Sequence, residues 1–398
     1  MNSLPMTSPA IIFGLSPTSL FLIRELSDAG IPVIGVGGHY ESARFSRHII
    51  KYCHGVDQDD LVDLVSNVYD EYGKKPVLFP TSDDYIESIG RKSKDLEKIS
   101  YLQGSYTDGK AELFLNKSAF YKEVKNLGVF VPKIFVRKFS EDFLGDVDLI
   151  FPVLAKPAHI HKVKASLSGK KLYVIENRDR LEAFVSSPIA NLGEWIIQEL
   201  IPGPESEILV VAGYVDKNGD FHELLSARKV RQYPPGFGSA SFVITEKNED
   251  LIERSTDLIH SLGYQGIFAA EWKRDFRDNT FKIIEINPRV SLWFQIVHDA
   301  GKRLALKAYA DLCDSKIDIK RKNLEPCCWR YASRDIYSAL FYSFNKNTFS
   351  LQKPEASLLK KGRQLKKSWA LWSQKDPLPA IMEPVNVIRK LWRRFFAK

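Results

Sequence analysis

The stretch FKIIEINPR, residues 281–289, has the pattern of a β-strand that carries an acid and an amide inside an apolar run. A second apolar run, FAAEWK at residues 268–273, carries Glu271 fourteen residues upstream of Glu285. The polar residues 277–279 separate the two runs, which is the pattern of a β-hairpin. The sequence therefore predicts an antiparallel pair of strands with one carboxylate on each strand.

The register of this hairpin decides whether the two acids meet. If the turn is centred on Asp278, residues whose numbers sum to 556 face each other, and Glu271 then lies opposite Glu285. Because side chains alternate along a strand, Asn287 is expected on the same face as Glu285. The same alternation is expected to point four apolar residues into a core: Ala270, Trp272, Ile284 and Ile286.

Two carboxylates at cross-strand distance repel each other, so a positive group is expected between them. Two carboxylates and an amide carbonyl are oxygen ligands of the kind that Mg²⁺ accepts, and Mn²⁺ is an alternative. The sequence therefore predicts a metal site at Glu271, Glu285 and Asn287. The alternative is a solvated sheet edge with both acids in water, and a β-bulge in the hairpin would change the register.

The composition is that of an ordinary globular protein. The chain has 398 residues, of which 44% are hydrophobic and 27% charged, enough for two or three domains. There is no apolar run of about eighteen residues. The start, MNSLPMTSPA, lacks the basic residues of a secretory signal, so a cytoplasmic location is expected. The four cysteines show no paired metal-ligand spacing.

The first part of the chain has the pattern of a parallel α/β sheet. Residues 10–37 predict a strand, a tight turn, a helix and a second strand. The stretch KPVLFPTSDDYIES, residues 75–88, adds a buried strand that ends near Asp83 and Asp84, where open α/β sheets bind ligands. Helix capping explains these two acids equally well. Beyond residue 113 the pattern becomes rich in strands, which predicts a domain boundary there.

Five features occur in order along the chain and together resemble the ATP-grasp superfamily, specifically its carboxylate–amine ligases of the D-aspartate ligase-like and carbohydrate-modifying types. They are Lys117, Lys156, QELIPG (198–203), Glu271 and EINPR (285–289). The resemblance covers about residues 1–315. It implies an α/β and α+β protein in which two lobes clamp ATP. The implied domains are a Rossmann-like domain (1–112), an ATP-grasp domain (113–316, with a small lobe at about 132–198 and a large lobe at about 199–316) and a basic C-terminal extension (317–398).

The resemblance also implies how ATP is held. Lys117 and Lys156 would contact the phosphates, a role that suits a flexible ammonium donor, although both fit surface lysines as well. The side chain of Glu207 would hold the ribose hydroxyls. The backbone of three residues would bond the adenine edge: Glu199, Leu200 and Ile201.

Five basic side chains are implied in catalysis and in anion binding. Arg289 would reach a phosphate or an acyl phosphate, for which a planar guanidinium is suited, with Lys156 beside it. Arg228, Lys229 and Arg231 would be the other anion contacts of the cleft. Alternation aims Lys229 away from its two neighbours, and an exposed charged strand is the alternative for all three.

Two further segments belong to the expected cleft. The stretch YPPGFGSAS, residues 233–241, predicts a lid. The stretch HIHKVKASLSGKK, residues 159–171, stands where relatives often carry a glycine-rich loop over the phosphates, and its only glycine is Gly169. Whether this loop covers phosphate by charge or is solvated stays open.

The implied reaction is amide formation. A substrate carboxylate attacks the γ-phosphate of ATP, and an amine or amino acid then displaces phosphate from the acyl phosphate. ADP and phosphate are released, and the substrate could be a cell-surface polysaccharide or its precursor. A phosphotransferase acting on a hydroxyl and a non-catalytic nucleotide-binding module are the alternatives.

The C-terminal segment is strongly basic. Residues 330–398 hold fifteen Lys/Arg against four Asp/Glu, a balance of +11 in a chain whose net charge is +8. Residues 385–398 predict an amphipathic helix that could lie on an anionic membrane, on the inner face of which the protein would then be peripheral. The alternatives are docking on the protein's own body or on a second subunit in a homo-oligomer. Nucleic acid is not expected. The apolar residues at helical spacing are Ile388, Leu391, Trp392, Phe395 and Phe396.

Overall fold

The computed structural model describes residues 7–55, 60–137, 149–158, 172–319, 323–349 and 351–396. The loop at residues 159–171 lies outside the described residues. Three sheets account for the described strands.

The first sheet is parallel and has four strands, in the order β3-β2-β1-β4. This confirms the predicted Rossmann-like architecture. Since β1 lies between β2 and β4, the direction of chain progression switches at β1, and such a switch point forms a crevice at the carboxyl ends of the strands. The strands are β1 (Ala10–Phe13), β2 (Val33–Gly37), β3 (Lys51–His54) and β4 (Val77–Pro80), and the helices are α1 (Leu20–Asp28), α2 (Leu61–Tyr72), α3 (Asp83–Arg91) and α4 (Ser93–Ile99).

Two helices connect this domain to the rest of the chain. They are α5 (Lys110–Leu115) and α6 (Lys117–Asn126). The side chain of Asn116 caps α6 by accepting hydrogen bonds from the backbone of its first turn. This cap fixes the start of the helix, and therefore the position of Lys117. Phe120 of α6 is buried in a core that also contains Trp272, so the helix joins two sheets.

The small lobe is an antiparallel sheet in the order β5-β8-β6-β7 with one helix described beside it. Its apolar face is filled by aromatic and branched side chains, including Val153, Trp195 and Ile197. The strands are β5 (Ile134–Arg137), β6 (Val153–Pro157), β7 (Tyr173–Ile175) and β8 (Trp195–Glu199), and the helix is α7 (Arg178–Val185).

The large lobe is built on a seven-stranded sheet in the order β13-β12-β9-β10-β11-β14-β15. A hairpin turn at residues 217–219 joins β9 to β10. The strands are β9 (Ile208–Val215), β10 (Phe221–Tyr233), β11 (Ser239–Thr245), β12 (Gly266–Asp275), β13 (Thr280–Asn287), β14 (Cys327–Arg330) and β15 (Lys366–Trp369). The helices are α8 (Glu249–Ser261), α9 (Gln295–Asp299), α10 (Leu304–Leu312), α11 (Ala332–Phe344), α12 (Ala356–Gln364) and α13 (Leu378–Phe396).

The C-terminal segment is built into the body of the protein. Strand β14 pairs with β11 and strand β15 pairs with β14, so residues beyond 316 supply two strands of the large sheet. The buried carboxylate of Asp376 accepts hydrogen bonds from Arg24 (3.1 Å) and Ser46 (2.9 Å) of the first domain. The segment therefore contacts both the large lobe and the first domain.

The β12–β13 hairpin contains a β-bulge, the irregularity that the predicted register assumed to be absent. Near the turn Asp275 faces Thr280, whereas beyond the bulge Glu271 faces Glu285 as predicted. The extra residue is Ile284, which lines the cleft while its neighbour Ile283 is buried in the core. The prediction that Ile284 points into the core is therefore wrong, because the bulge reverses the alternation at that position.

Candidate active site

A cleft of about 540 Å³ lies where the first domain, the small lobe and the large lobe meet. The first domain contributes the loops after β1 and β4, at the switch point of its sheet, with residues 16–18 and 81–84. The lobes contribute one face of the β12–β13 hairpin and the end of β8. The cleft therefore brings together most of the residues that the sequence singled out.

The predicted acid pair lies on the floor of this cleft. Glu271 is buried and faces Glu285 across the hairpin. Each carboxylate contacts a different lysine, with 2.5 Å from Nζ of Lys229 to Oε2 of Glu271 and 3.2 Å from Nζ of Lys117 to Oε2 of Glu285. Burial raises the pKa of Glu271 and the charge of Glu285 raises it further, while the charge of Lys229 lowers it. The pair is thus held together by two cations from different elements.

Asn287 belongs to the same group of side chains. Its Nδ2 donates a hydrogen bond to Oε1 of Glu285 at 3.2 Å. Asn287 lines the cleft, as the alternation along β13 predicts for the part of the strand beyond the bulge. Glu271, Glu285 and Asn287 therefore lie together in one region of the cleft.

Lys156 lies in the small lobe on β6, with its side chain in the cleft. Its Nζ donates to Oε1 of Gln198 at 2.9 Å, and the same oxygen accepts a hydrogen bond from the hydroxyl of Tyr121 at 3.3 Å. The pKa of Lys156 is lowered to about 8, mainly because the group is buried and secondly because the charge of Lys117 is close to it. A buried ammonium that lacks a carboxylate partner among the described residues is suited to a polyanionic ligand.

Lys273 is a cleft residue that the sequence interpretation missed. Its Nζ donates to the backbone carbonyls of Ile201 at 2.8 Å and of Gly203 at 3.0 Å, immediately after β8. Burial lowers its pKa to about 8. The signal was present in the sequence, since Lys273 lies two residues beyond Glu271 and therefore on the same face of the strand.

The three residues expected at the adenine edge are the last residue of β8 and the two that follow it. Leu200 and Ile201 line the cleft. The side chain of Glu199 forms an ion pair with Arg277 at 2.6 Å, and its backbone N–H donates to the carbonyl of Lys133 at 2.8 Å. The carbonyl of Ile201 accepts from Lys273, so the polar atoms that remain for an adenine edge in this stretch are the carbonyl of Glu199, the backbone atoms of Leu200 and the N–H of Ile201.

Glu207 does not line the cleft. Its carboxylate is buried and lies 2.7 Å from Nε of Arg274 and 3.7 Å from Nη1 of Arg228. The expected contact with ribose hydroxyls does not agree with this placement, because the carboxylate is engaged by guanidinium groups.

Arg228 and Arg231 also lie outside the cleft. Arg228 forms a bidentate ion pair with Glu246, with distances of 2.6 and 2.5 Å, and Arg231 forms one with the buried Asp335, with distances of 2.6 and 2.9 Å. Lys229 is the member of the triplet that lines the cleft. The expectation that both arginines contact a bound anion does not agree with their positions. A register shift in β10 between Lys229 and Arg231 alters the alternation there.

Arg289 follows β13 and lines the cleft. Its Nε and Nη2 both lie 2.7 Å from Oδ1 of Asp83, which is in the first turn of α3. Asp83, left open between a ligand contact and a cap, is therefore the ion-pair partner of Arg289. This contact joins the first domain to the large lobe at the cleft.

Residues 114–291 match the family model of the ATP-grasp domain. The chain carries an ATP-grasp domain. The match begins at α5 and ends just after Arg289, and it contains every lysine described above as lining the cleft. The predicted fold is thereby confirmed.

Among relatives, the chain is 25% identical over 264 residues to a D-aspartate ligase of Enterococcus faecium (strain Aus0004). The match covers 62% of this chain and 62% of that protein. Two solved structures share the fold. An N5-carboxyaminoimidazole ribonucleotide synthetase in complex with ADP superimposes with a TM-score of 0.66 at 15% identity, covering 92% of this chain and 97% of the other. An L-amino acid ligase from Bacillus licheniformis superimposes with a TM-score of 0.61 at 16% identity, covering 81% of this chain and 80% of the other.

The segment predicted as a lid borders the cleft of the ATP-grasp domain. Residues 236–240 line the cleft. A side chain at Gly238 would place a Cβ atom 2.0 Å from the carbonyl carbon of Tyr233, so this close approach requires glycine. The backbone N–H of Gly236 donates to the buried Glu205 at 2.7 Å, which fixes the base of the loop.

The donor set of the ATP-grasp domain fits a hard divalent cation. Among the described residues there is no group of three or more His, Cys, Asp or Glu side chains that could hold a metal. The set at the hairpin is instead two carboxylates and an amide oxygen, to which phosphate oxygens and water would be added. The adjacent carboxylates of Glu271 and Glu285 fit such an ion because their charges require compensation, which Lys229 and Lys117 supply in this structure.

Proposed function

We propose that this protein is an ATP-dependent ligase that joins a carboxylate to an amine. The proposal is supported most directly by the cleft, which is lined by four lysines and a registered pair of carboxylates. ATP would bind there with its phosphates near Lys117, Lys156 and Lys229 and its base near Leu200 and Ile201. No nucleophilic side chain is required, because the substrates supply both reacting groups.

The reaction proceeds in two displacements. A carboxylate oxygen of the substrate attacks the γ-phosphorus of ATP, the bond to the β,γ-bridging oxygen breaks, and ADP leaves. The nitrogen of the amine, after losing a proton, then attacks the acyl carbon. The bond from that carbon to the phosphate oxygen breaks, and an amide and inorganic phosphate result. The protein positions the reactants and offsets the charge that develops on the transferred group.

Several residues of the chain have definite tasks in this scheme. Lys156 and Lys229 neutralise phosphate charge, and Arg289 exchanges its contact with Asp83 for the transferred phosphoryl group. Closure of the small lobe over the cleft excludes water, which would otherwise hydrolyse the acyl phosphate. When bound at Glu271, Glu285 and Asn287, Mg²⁺ would offset phosphate charge, and Mn²⁺ would suit the same donors.

The acceptor is expected at the switch point of the first sheet. Loops 16–18 and 81–84 carry hydroxyl and carboxylate side chains into the cleft. These groups are suited to a polar substrate such as an amino acid or a sugar. A cell-surface polysaccharide or its precursor is consistent with this lining.

The experiment that tests the proposal measures ADP and phosphate release with paired acids and amines, followed by mass spectrometry of the product. The proposal predicts that full turnover requires one acid and one amine. Turnover with a hydroxyl compound alone would support the phosphotransferase alternative. ATP binding without turnover across the panel would support a non-catalytic module.

We also propose that helix α13 lies on an anionic membrane. Pro379 and Asn386 of the helix are buried against the body. On other faces the helix exposes a stripe of apolar residues at intervals of three and four, namely Leu378, Ile381, Val385, Ile388 and Trp392, and the side chains of Leu391, Phe395 and Phe396 lie outside the described residues.

The charge of the helix favours a lipid surface over a second copy of the chain. The helix contains Arg389, Lys390, Arg393 and Arg394 and a single acid, Glu383. Self-association in a homo-oligomer through this stripe would bring like charges together, whereas an anionic surface attracts them by about 1 kcal/mol per residue. None of the described helices is long and apolar enough to cross a membrane, so the helix would lie in the interface.

A further inference from the structure

Arg334 belongs to the C-terminal segment, well beyond the end of the ATP-grasp match at residue 291, yet it lines the same cleft as Lys156 and Glu271. It lies in the first turn of α11, which begins immediately after β14. The sequence interpretation did not assign it a role. Its place in the cleft depends on how α11 is fixed to the large sheet.

Helix α11 is attached to β10 by buried polar contacts. The carboxylate of Asp335 holds the guanidinium of Arg231, and the hydroxyl of Ser338 donates to the carbonyl of Gln232 at 2.6 Å. Asp335 and Ser338 are both buried. These contacts place the start of α11 beside residues 236–240, which line the cleft.

The guanidinium of Arg334 is held by aromatic rings and not by acids. Its Cζ lies 4.1 Å from the ring centre of Tyr331 and 5.7 Å from that of Tyr233. Tyr233 is itself packed edge-on against Tyr337, with ring centres 5.2 Å apart. Among the described residues no carboxylate forms an ion pair with Arg334, in contrast to Arg289, the other arginine that lines the cleft.

This arrangement has the properties of an anion-binding group. A cation in the first turn of a helix is opposed by the helix dipole, so the position of Arg334 contributes little to the stability of α11. Contact with two rings holds the guanidinium in place, and the N–H donors that do not bond Tyr331 stay available for an oxyanion. Three of the remaining cleft cations pair with carboxylates, Lys156 lies near the proposed phosphate position, and Lys273 is held by two backbone carbonyls.

We propose that Arg334 binds an oxyanion of the substrate that does not take part in the reaction. The group is the second carboxylate of a dicarboxylic substrate or the phosphate of a phosphorylated one, since a guanidinium binds both in the same geometry. This inference rests on the proposed function for the identity of the site, and it makes Arg334 a specificity-determining residue. It also explains why residues beyond the ATP-grasp match contribute to the cleft.

The test is protection against thermal unfolding, measured with Mg²⁺ and a non-hydrolysable ATP analogue present so that the nucleotide site is filled. The probes are D- and L-aspartate, the matching alanines, which lack the second carboxylate, and inorganic phosphate. The variants are Arg334→Gln and Arg334→Lys, with Arg363→Gln as the control. Arg363 is exposed on α12 and lies outside the cleft. Arg363→Gln therefore removes one positive charge, as Arg334→Gln does, without changing the cleft.

Wild type and Arg363→Gln are expected to bind aspartate about tenfold or more tightly than alanine, and Arg334→Gln to lose this difference. Arg334→Lys is expected to retain only part of it. If phosphate and not aspartate protects the wild type, and Arg334→Gln loses this protection, the proposal is supported and the bound oxyanion is the phosphate group of the substrate. The proposal is overturned if the probes protect wild type and Arg334→Gln equally against thermal unfolding. It is also overturned if none of the probes protects the wild type.

Failure of the ligase proposal gives a different result. Aspartate- or phosphate-dependent protection that requires Arg334, together with no turnover in the acid-and-amine panel, keeps the anion site and removes the ligase. Turnover that uses mono- and dicarboxylic acids equally in wild type and in Arg334→Gln keeps the ligase and removes the role of Arg334.

Discussion

Glu271 and Glu285 face each other across the β12–β13 hairpin, and each carboxylate contacts the ammonium of a lysine from a different element. Lys229 comes from β10 and Lys117 from the start of α6. The pair therefore connects three parts of the chain at one point. Such an arrangement is electrically balanced without a ligand, and arrival of a cation would free both lysines to contact the phosphates of a nucleotide.

Replacement of Glu285 by Gln is expected to leave the fold intact and to lower Mg²⁺-dependent turnover about 100-fold or more, because the amide keeps the shape and removes one formal charge. Steady-state ADP release against Mg²⁺ concentration measures the effect. Glu253→Gln, at an exposed position of α8, is the matched control. A folded Glu285→Gln protein with wild-type activity at every Mg²⁺ concentration would contradict the metal assignment.

Lys156 is expected to make ATP binding depend on pH. Its pKa of about 8 in the unliganded protein lies below the ordinary value, and phosphate charge favours the protonated form. ATP binding is therefore accompanied by proton uptake near and above pH 8, and affinity falls as the pH rises through this range.

Calorimetry in buffers of different ionisation enthalpy measures this uptake. Lys156→Met is expected to bind ATP about tenfold or more weakly at pH 7 and to take up fewer protons at pH 8, with Lys273 contributing the remainder. Lys346→Met, at an exposed position, is the control. Unchanged affinity and unchanged proton uptake in Lys156→Met would show that Lys156 does not face the phosphates.

The ion pair between Arg231 and Asp335 is expected to be structural. Both side chains are buried, with 9% and 5% of their surface exposed, so Asp335→Asn leaves an uncompensated guanidinium. The expected loss is about 3 kcal/mol in the free energy of unfolding, measured by urea denaturation. Asp257→Asn, at an exposed position of α8, should change it by less than about 0.5 kcal/mol. Equal stability of the two variants would remove the structural role.

Binding of α13 to membranes is tested by co-sedimentation with anionic and neutral vesicles at low salt. Wild type is expected to sediment with the anionic vesicles alone. The double variant Ile381→Glu/Ile388→Glu, at two exposed positions of the stripe, should stay in the supernatant. Ile50→Glu changes an equally exposed apolar residue of the first domain and should sediment as wild type does. Wild type that stays in the supernatant would show that the stripe serves another purpose.

The pairing of Glu271 with Glu285 was predictable from the sequence. The assumed turn centre was wrong, however, and the bulge at Ile284 compensated for this error. The assumed turn centre gave residues whose numbers sum to 556, whereas near the turn Asp275 faces Thr280. The bulge at Ile284 restores the assumed register at Glu285. Strand alternation predicts a face only up to the next bulge, and nothing in the apolar run IIEI indicates that Ile283 and not Ile284 is buried.

Other residues could not be placed from the sequence because their partners are distant along the chain. Arg231 lies beside Asp335, more than a hundred residues away, and Arg289 beside Asp83, more than two hundred away. In the sequence, a basic residue that faces a bound anion looks the same as one that pairs with a carboxylate of the protein. The pairing of β14 and β15 with the large sheet is likewise a long-range contact, so the basic composition of the segment concealed its structural role.

The proposed mechanism requires that a substrate carboxylate is activated by phosphoryl transfer in this cleft. Once the panel identifies an acid and an amine, the acid is labelled with ¹⁸O in its carboxyl group and the released phosphate is analysed by mass spectrometry. We expect one ¹⁸O atom per turnover to appear in inorganic phosphate, because the carboxylate oxygen that attacks phosphorus leaves with it. Amide product formed with no ¹⁸O in the phosphate would contradict an acyl phosphate and with it the proposed mechanism.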